Sequence, residues 1–268
     1  MAWWRREKPS EVGVGERRGD WSRCGGCAEI LPRGELEKHD GVCPRCRHHH
    51  QIGPERWSAL LADGGTFEPL GADLAPHDAL GFKDTRRYKE RLKTARKSSG
   101  LDEALIAGRA HLEGRPLVLL LWADAFLEAT VGEVAVGRLG LAVDAAIEAR
   151  CALISVGAPG GLRLQEGSAA LFALPRLAQA RRRLAHARLP LVSVFTELPS
   201  GELGLALSGD VNLAEPPAAA LAGAGLVDEV VPRDKLRSRL LQLLRLLVRD
   251  DIVAPAEVGS ASSATPGS

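Results

Sequence analysis

Four of the five cysteines in this sequence form two C-x2-C pairs, Cys24/Cys27 and Cys43/Cys46, with fifteen residues between the pairs. A C-x2-C segment makes a tight knuckle that turns two thiolates toward one point. Two knuckles supply four soft ligands, the set that tetrahedral zinc favours. Four thiolates leave no position for water, so the expected ion is one structural Zn2+ per chain, closed and non-catalytic. Metal removal is expected to unfold so small a module. With the site filled by cysteine, His48, His49 and His50 are expected on the surface or at a junction.

The second group is Gly157-Ala158-Pro159-Gly160-Gly161-Leu162-Arg163-Leu164-Gln165-Glu166-Gly167. An apolar run, Ala152 to Val156, leads into it, and a helix-prone run, Ser168 to Arg188, leads out. Glycines lack Cβ, so their backbone N–H groups can closely approach a ligand oxygen. A helix start adds partial positive charge. Together they suit a carbonyl oxygen becoming an enolate or oxyanion. An ordinary strand-to-helix connection gives the same pattern.

A third group is cationic. From Gly81 to Gly100 eight Lys and Arg (Lys83, Arg86, Arg87, Lys89, Arg91, Lys93, Arg96, Lys97) face two acids, Asp84 and Glu90. Such a helix is either a solvated face or the seat of an anionic partner, a nucleotide-like phosphate or an acidic subunit surface. No side chain declares itself a general base. His111 and His186 read as structural, Cys151 as a small buried hydrophobe, and Asp210 and Glu215 as polar anchors at strand ends.

The elements that must hold these groups follow from the pattern around them. The sequence is 45% hydrophobic and 26% charged, with a net charge of +1, which suits a globular protein and gives no whole-chain field for nucleic acid or membrane. Residues 1–56 carry 11 Lys+Arg against 9 Asp+Glu, an excess too small to demand a polyanion. Residues 1–8 lack an apolar leader, and the longest aliphatic run, Leu117 to Trp122, is too short to span a bilayer. A cytoplasmic chain is expected.

Residues 1–20 are polar and expected to be flexible. The ribbon occupies 21–50. A linker and the basic helix occupy 51–100, with a helical turn at Trp57 to Leu61. The main domain spans 101–250, and 251–268 reads as a disordered tail. Within the domain, strands are expected at 107–113, 116–122, 152–156, 189–195, 211–214 and 227–231. Helices are expected at 139–150, 167–187 (with Pro175 breaking or kinking it) and 235–249. Strands alternating with helices imply a layered α/β domain.

In this order, the motifs resemble the β subunit of bacterial acetyl-CoA carboxylase carboxyltransferase, from about Trp21 to about Glu215. Cys43-Pro44-Arg45-Cys46-Arg47-His48-His49 fits the second knuckle of that family. Asp78-Ala79-Leu80-Gly81-Phe82-Lys83-Asp84, Tyr88 and Arg91-Leu92 fit the next segment. Gly160-Gly161, Arg163, Gln165 and Glu166 match its S-G-G-A-R-M-Q-E motif, and Gly209 to Pro216 matches G-D-x-x-x-A-E-P.

The resemblance implies a crotonase-like ββα superhelix preceded by the zinc ribbon. It implies transfer of a carboxyl group from carboxybiotin, held on a separate biotin carboxyl carrier protein, to acetyl-CoA, giving malonyl-CoA for fatty acid synthesis. It implies an α2β2 complex with an α subunit of related fold. Gly160 and Gly161 would form an oxyanion hole, with Arg163, Gln165 and Glu166 at the substrate. No lysine sits in an A-M-K-M-type context, so biotin is not expected on this chain.

The chain departs from the pattern at four places. The F-M-G-G-S-M-G turn reads Phe126-Leu127-Glu128-Ala129-Thr130-Val131-Gly132. Pro159 replaces the serine before Gly-Gly and removes an N–H donor. The P-T-T-G-G-V loop becomes Leu198-Pro199-Ser200-Gly201-Glu202-Leu203. The F-A-G-P-R-V segment and the helical stretch after it are missing between Gly223 and Leu226. The alternative reading is therefore a catalytically degenerate paralogue, a structural or regulatory subunit of the same complex. A zinc-ribbon nucleic-acid binder is the third.

Overall fold

The structure is a computed structural model that describes residues 21–199, 203 and 205–248. The polar stretch 1–20, the tail 251–268 and Ser200, Gly201 and Glu202 of the altered loop lie outside the described residues.

Two short antiparallel strands, β1 (Trp21–Arg23) and β2 (Ile30–Pro32), and helix α1 (Arg33–Lys38) build the ribbon. Then follow α2 (Pro54–Leu61), β3 (Glu68–Leu70), α3 (Tyr88–Ser99), β4 (Leu105–Leu112), β5 (Arg115–Trp122) and α4 (Glu133–Glu148). The chain continues through β6 (Ala152–Val156), α5 (Ser168–Leu171), α6 (Ala173–Ala187), β7 (Leu191–Phe195), β8 (Val211–Ala214), α7 (Ala220–Gly223), β9 (Glu229–Val230) and α8 (Arg233–Leu247). Seven strands make one sheet in chain order, β3 to β9, so each strand lies beside its predecessor. The β3–β4–β5 pairings are antiparallel, and those from β5 to β9 are parallel.

The parallel strands are apolar on both faces because both faces are covered. Val118 and Leu120 of β5 pack with Leu153 against α4 and α6, through Val136, Leu139, Val143, Leu177 and Leu184. Leu117, Leu119 and Leu121 point the other way, with Ile154 and Val192, onto Trp57 and Leu61 of α2 and Leu236, Leu240 and Leu244 of α8. The result is a three-layer α/β/α domain. Among the described residues no helix is long and apolar enough to cross a membrane.

Several boundaries differ from the sequence reading. Helix α4 begins at Glu133 rather than 139, because Ala135, Val136, Leu139, Ala142, Val143 and Ala146 continue one buried stripe. The expected helix over 167–187 is divided at Phe172, ahead of Pro175. Pro175 sits in the first turn of α6, where its missing N–H leaves no helical bond unmade. The expected strand at 227–231 shrinks to Glu229–Val230. The stretch expected to link ribbon and domain contributes α2, whose Trp57 and Leu61 are 4% and 2% exposed in the core.

Candidate metal centre and candidate active-site cleft

The ribbon brings all four knuckle cysteines together, with their Sγ atoms within 4.8 Å of one another. Cys24 Sγ lies 3.6 Å from Cys46 Sγ, and Cys27 Sγ lies 3.9 Å from Cys43 Sγ. A tetrahedron about an ion with Zn–S bonds of about 2.3 Å has edges of about 3.8 Å. The thiols therefore fit a single four-coordinate ion. Gly26 donates its N–H to Cys24 Sγ at 3.4 Å, and a Cβ there would come within 2.8 Å of His48 Cβ. The knuckle requires glycine at that position.

His49 joins the ribbon to the domain. Its Nδ1 lies 3.1 Å from Glu215 Oε1, and both side chains are buried. Arg233, at the start of α8, donates to both Glu215 oxygens at 2.8 and 2.6 Å. Its third nitrogen donates to the ribbon carbonyls of Asp40 and His50 at 2.7 and 2.9 Å. Its guanidinium stacks on Trp57 at 4.8 Å. This clasp of ribbon, β8, α2 and α8 is fully desolvated, and each charge in it has a partner. Asp210 accepts the Leu191 N–H at 2.9 Å, so both acids of the G-D-x-x-x-A-E-P match anchor the ends of β8.

A cleft of about 380 Å³ lies between the ribbon and the carboxyl ends of β5, β6 and β7. Asp124, Gly157, Ala158 and Glu197 come from the strand ends, and His50 and Gln51 from the ribbon side. Open parallel sheets place ligands at this edge. Gln51 donates to Glu197 at 2.7 Å. Gly157 has φ +85° and donates its N–H to Val194 O. Ala158 N–H donates to no described residue.

Gly160 and Gly161 do not line this cleft. Gly160 donates its N–H to Ala129 O at 2.9 Å, and a Cβ on it would lie 2.2 Å from Glu128 O. Gly161 O accepts from Val131 N at 2.9 Å, while Gly161 N–H has no acceptor among the described residues. The opposing turn is left-handed at three successive non-glycine residues, Leu127, Glu128 and Ala129, with φ of 47°, 55° and 52°. Each such residue costs about 1–2 kcal/mol. The turn is held by Ala129 N–H to Phe126 O and Thr130 N–H to Leu127 O, at 3.2 and 3.1 Å.

Arg163 is completely buried. It donates to both Glu103 oxygens, to Thr130 O at 2.6 Å and to Thr130 Oγ1 at 3.3 Å. Desolvation opposes its charge, yet the Glu103 carboxylate beside it holds its pKa above the ordinary arginine value. Glu166 accepts from Tyr88 Oη at 2.7 Å and from Glu133 N–H at 2.6 Å, capping α4. Burial pushes the Tyr88 phenol well up. Gly132 leaves room for this cluster, since a Cβ there would lie 2.6 Å from the Glu166 oxygens. Gln165 and Glu166 line a separate pocket of about 150 Å³. The motif is thus divided: Gly157 and Ala158 face the large cleft, Arg163 braces the turn, and Gln165 faces another surface. Sequence reasoning did not find the partners Glu103 and Thr130. Their only signal was a polar residue bordering an apolar run.

The exposed basic stretch keeps Lys83, Arg87, Lys89, Lys93 and Lys97 without an acidic partner among the described residues, while Arg91 pairs with Asp84 and Arg96 with Asp102.

A scan against protein-family models finds no match. Solved structures do resemble the chain. The Pseudomonas malonate decarboxylase MdcD–MdcE hetero-dimer aligns at TM-score 0.55 and 20% identity, over 74% of this chain and 88% of that one. The transcarboxylase 12S hexamer with hydrolysed methylmalonyl-coenzyme A bound gives 0.57 and 16%, over 79% of this chain and 44% of that one. The β subunit of geranyl-CoA carboxylase from P. aeruginosa gives 0.54 and 19%, over 79% and 42%. The chain therefore has an α/β fold similar to crotonase-like carboxyltransferase domains, with a four-cysteine ribbon docked on its strand ends.

Proposed function

We propose that this chain is a β-type subunit of a biotin-dependent carboxyltransferase that binds an acyl-CoA, acetyl-CoA in the first instance, in the cleft at the ends of β5–β7. The observation that carries the reading is the glycine turn after β6, which opens onto a 380 Å³ cleft where this fold class places ligands. Carboxybiotin, delivered by a separate carrier protein, supplies the carboxyl group. The chain's own part is to seat the thioester and to hold its oxygen as negative charge develops. The unengaged N–H group of Ala158 is the proposed donor in the cleft, worth several kcal/mol when aimed at an oxyanion, whereas Gly161, whose N–H is also unengaged, lies outside it. Gly160, with Gly132, lets the two turns approach closely. Arg163 and Glu166 fix that approach, and Gln165 faces the surface where a second subunit would sit.

The four ribbon thiolates are proposed to hold Zn2+, one per chain, as a structural ion. A related α-type subunit, a cytoplasmic location and a role in malonyl-CoA supply for fatty acid synthesis belong to the same reading. A degenerate, non-catalytic subunit is the second reading. The hydrogen bond from Gly160 N–H to Ala129 O favours it, because that donor is already engaged.

The test is malonyl-CoA formation from acetyl-CoA and carboxybiotin by the zinc-loaded chain with its α-type partner, beside calorimetry of acetyl-CoA. Turnover that falls when Ala158→Pro removes its N–H supports the enzyme. A stable complex with neither turnover nor acetyl-CoA binding establishes the non-catalytic subunit.

A further inference from the structure

The left-handed turn and the glycine motif are laced together through the backbone. Gly160 N–H donates to Ala129 O, Val131 N–H to Gly161 O and Arg163 N–H to Val131 O, each at 2.9 Å, with Val131 and Leu162 in parallel register. Ala158, which lines the cleft, precedes Gly160 by two residues, so the aim of its N–H follows the position of this pairing. The turn does not sustain itself. Leu127, Glu128 and Ala129 lie in the left-handed region without a glycine among them, and such a run persists only where its surroundings hold it.

Tyr88, the first residue of α3, reaches both partners of the pairing. It is 1% exposed. Its ring belongs to one apolar cluster with Leu92, Ala104 and Phe126, and Leu127 packs against the same cluster. Phe126 and Leu127 are the residues that open the left-handed turn. The Tyr88 hydroxyl goes the other way, donating to Glu166 Oε1 at 2.7 Å at the end of the glycine motif. Glu166 Oε2 accepts the Glu133 N–H at 2.6 Å, and Arg163 lies 3.5 Å from Oε1 with its guanidinium 5.5 Å over the Phe126 ring. Among these groups Tyr88 alone comes from outside the two turns and α4. It is itself fixed: its N–H donates to Phe82 O at 2.9 Å, and the Phe82 N–H to Asp78 Oδ1 at 2.9 Å. Burial raises the phenol well above its ordinary value, so the hydroxyl stays a donor to Glu166 at neutral pH.

We infer that Tyr88 is a positioning residue for the acyl-CoA chemistry: its ring and hydroxyl hold the Leu127–Ala129 turn and the glycine motif in one register, and so set the line along which the Ala158 N–H meets the thioester oxygen. Tyr88 does not line the cleft and acts only through these turns. This role rests on the reading of the chain as a carboxyltransferase subunit, and it adds a residue that the reading does not itself use.

Tyr88→Phe tests it, because it removes the hydroxyl and keeps the ring. Two measurements are made on the full zinc-loaded chain: amide hydrogen exchange by mass spectrometry, and malonyl-CoA formation with the α-type partner. Loss of one hydrogen bond to a carboxylate should speed exchange by about tenfold in peptides covering 126–133 and 158–167, and leave β4 and β5 unchanged. The urea midpoint should stay within about 0.5 M of wild type. In turnover, kcat should fall by about tenfold while KM for acetyl-CoA stays within about twofold, a split that a loss of folded protein alone does not produce. Unchanged exchange at both turns overturns the inference, whatever the turnover. So does a variant that exchanges faster at the turns but keeps the kcat of an active wild type. A wild type without turnover overturns the carboxyltransferase reading and this role together, which sets that failure apart from the other two.

Discussion

Replacing Arg163 with methionine separates two roles for the residue. At the substrate it would affect binding and little else. In the structure its side chain and that of Glu103 are both wholly buried, and it is also 3.5 Å from Glu166. Removing the cation leaves the Glu103 carboxylate with the Ala104 N–H at 2.6 Å as its remaining partner, and leaves Thr130 O without its donor. Breaking a buried pair from one side costs about 3–5 kcal/mol. A folded chain holds about 5–15 kcal/mol in total. With a urea slope of about 3 kcal/mol/M, the midpoint should fall by about 1–1.7 M. Arg163→Met combined with Glu103→Leu should recover part of that loss, because an apolar pair leaves no charge stranded. The assay is urea unfolding followed by circular dichroism for wild type, both single variants and the double. If Arg163→Met unfolds within about 0.5 kcal/mol of wild type and only weakens acyl-CoA binding, the bracing role is wrong.

Other outcomes follow from the same geometry. Burial pushes the Cys151 thiol up to about 12, so with metal bound it should resist alkylation at pH 8. Chelation should expose the four ribbon cysteines, and Cys151 should react only in denaturant, as mass spectrometry would count. Gly160→Ala should destabilise markedly in thermal unfolding, because its Cβ would press on Glu128 O at 2.2 Å. Gly140→Ala within α4 meets nothing within 4 Å and should instead stabilise by about 0.5–1 kcal/mol. The N–H groups of Gly114 and Glu113 hold the Asp63 carboxyl below its ordinary 3.8, with Arg237 beside it. A lowered folded pKa contributes stability that is present above the unfolded value and lost as pH falls through the folded one. Asp63→Asn should therefore narrow the gap between urea midpoints at pH 7 and pH 3.

The sequence carried the local features well. Two C-x2-C knuckles announce their own geometry, and the apolar run Ala152–Val156 is a strand with those limits. The polar clusters were harder to read, because their partners are remote. Glu103 meets Arg163 sixty residues on, and Glu215 meets His49 at a separation of 166. Periodicity carries no information about such pairings. The glycine motif shows the same limit at finer scale. Its spacing marks a close approach of backbone, but whether the approaching group is a ligand or the protein's own Ala129 carbonyl depends on a turn thirty residues upstream. That turn is left-handed without a single glycine between Leu127 and Ala129, so no local preference announces it.

The clasp that seats the ribbon has a consequence for how the chain is made. Arg233 bonds Asp40 across 193 residues. At about 5–20 residues per second, the ribosome reaches Arg233 some 10–40 s after Asp40. During that interval the knuckles can take their ion, but the ribbon and Trp57 still lack the arginine that holds them together. The ribbon, made ahead of the domain it docks on, is therefore fastened late. A nascent chain that stops before α8 should display its ribbon as a tethered bead, open to proteases along residues 47–53 until α8 arrives.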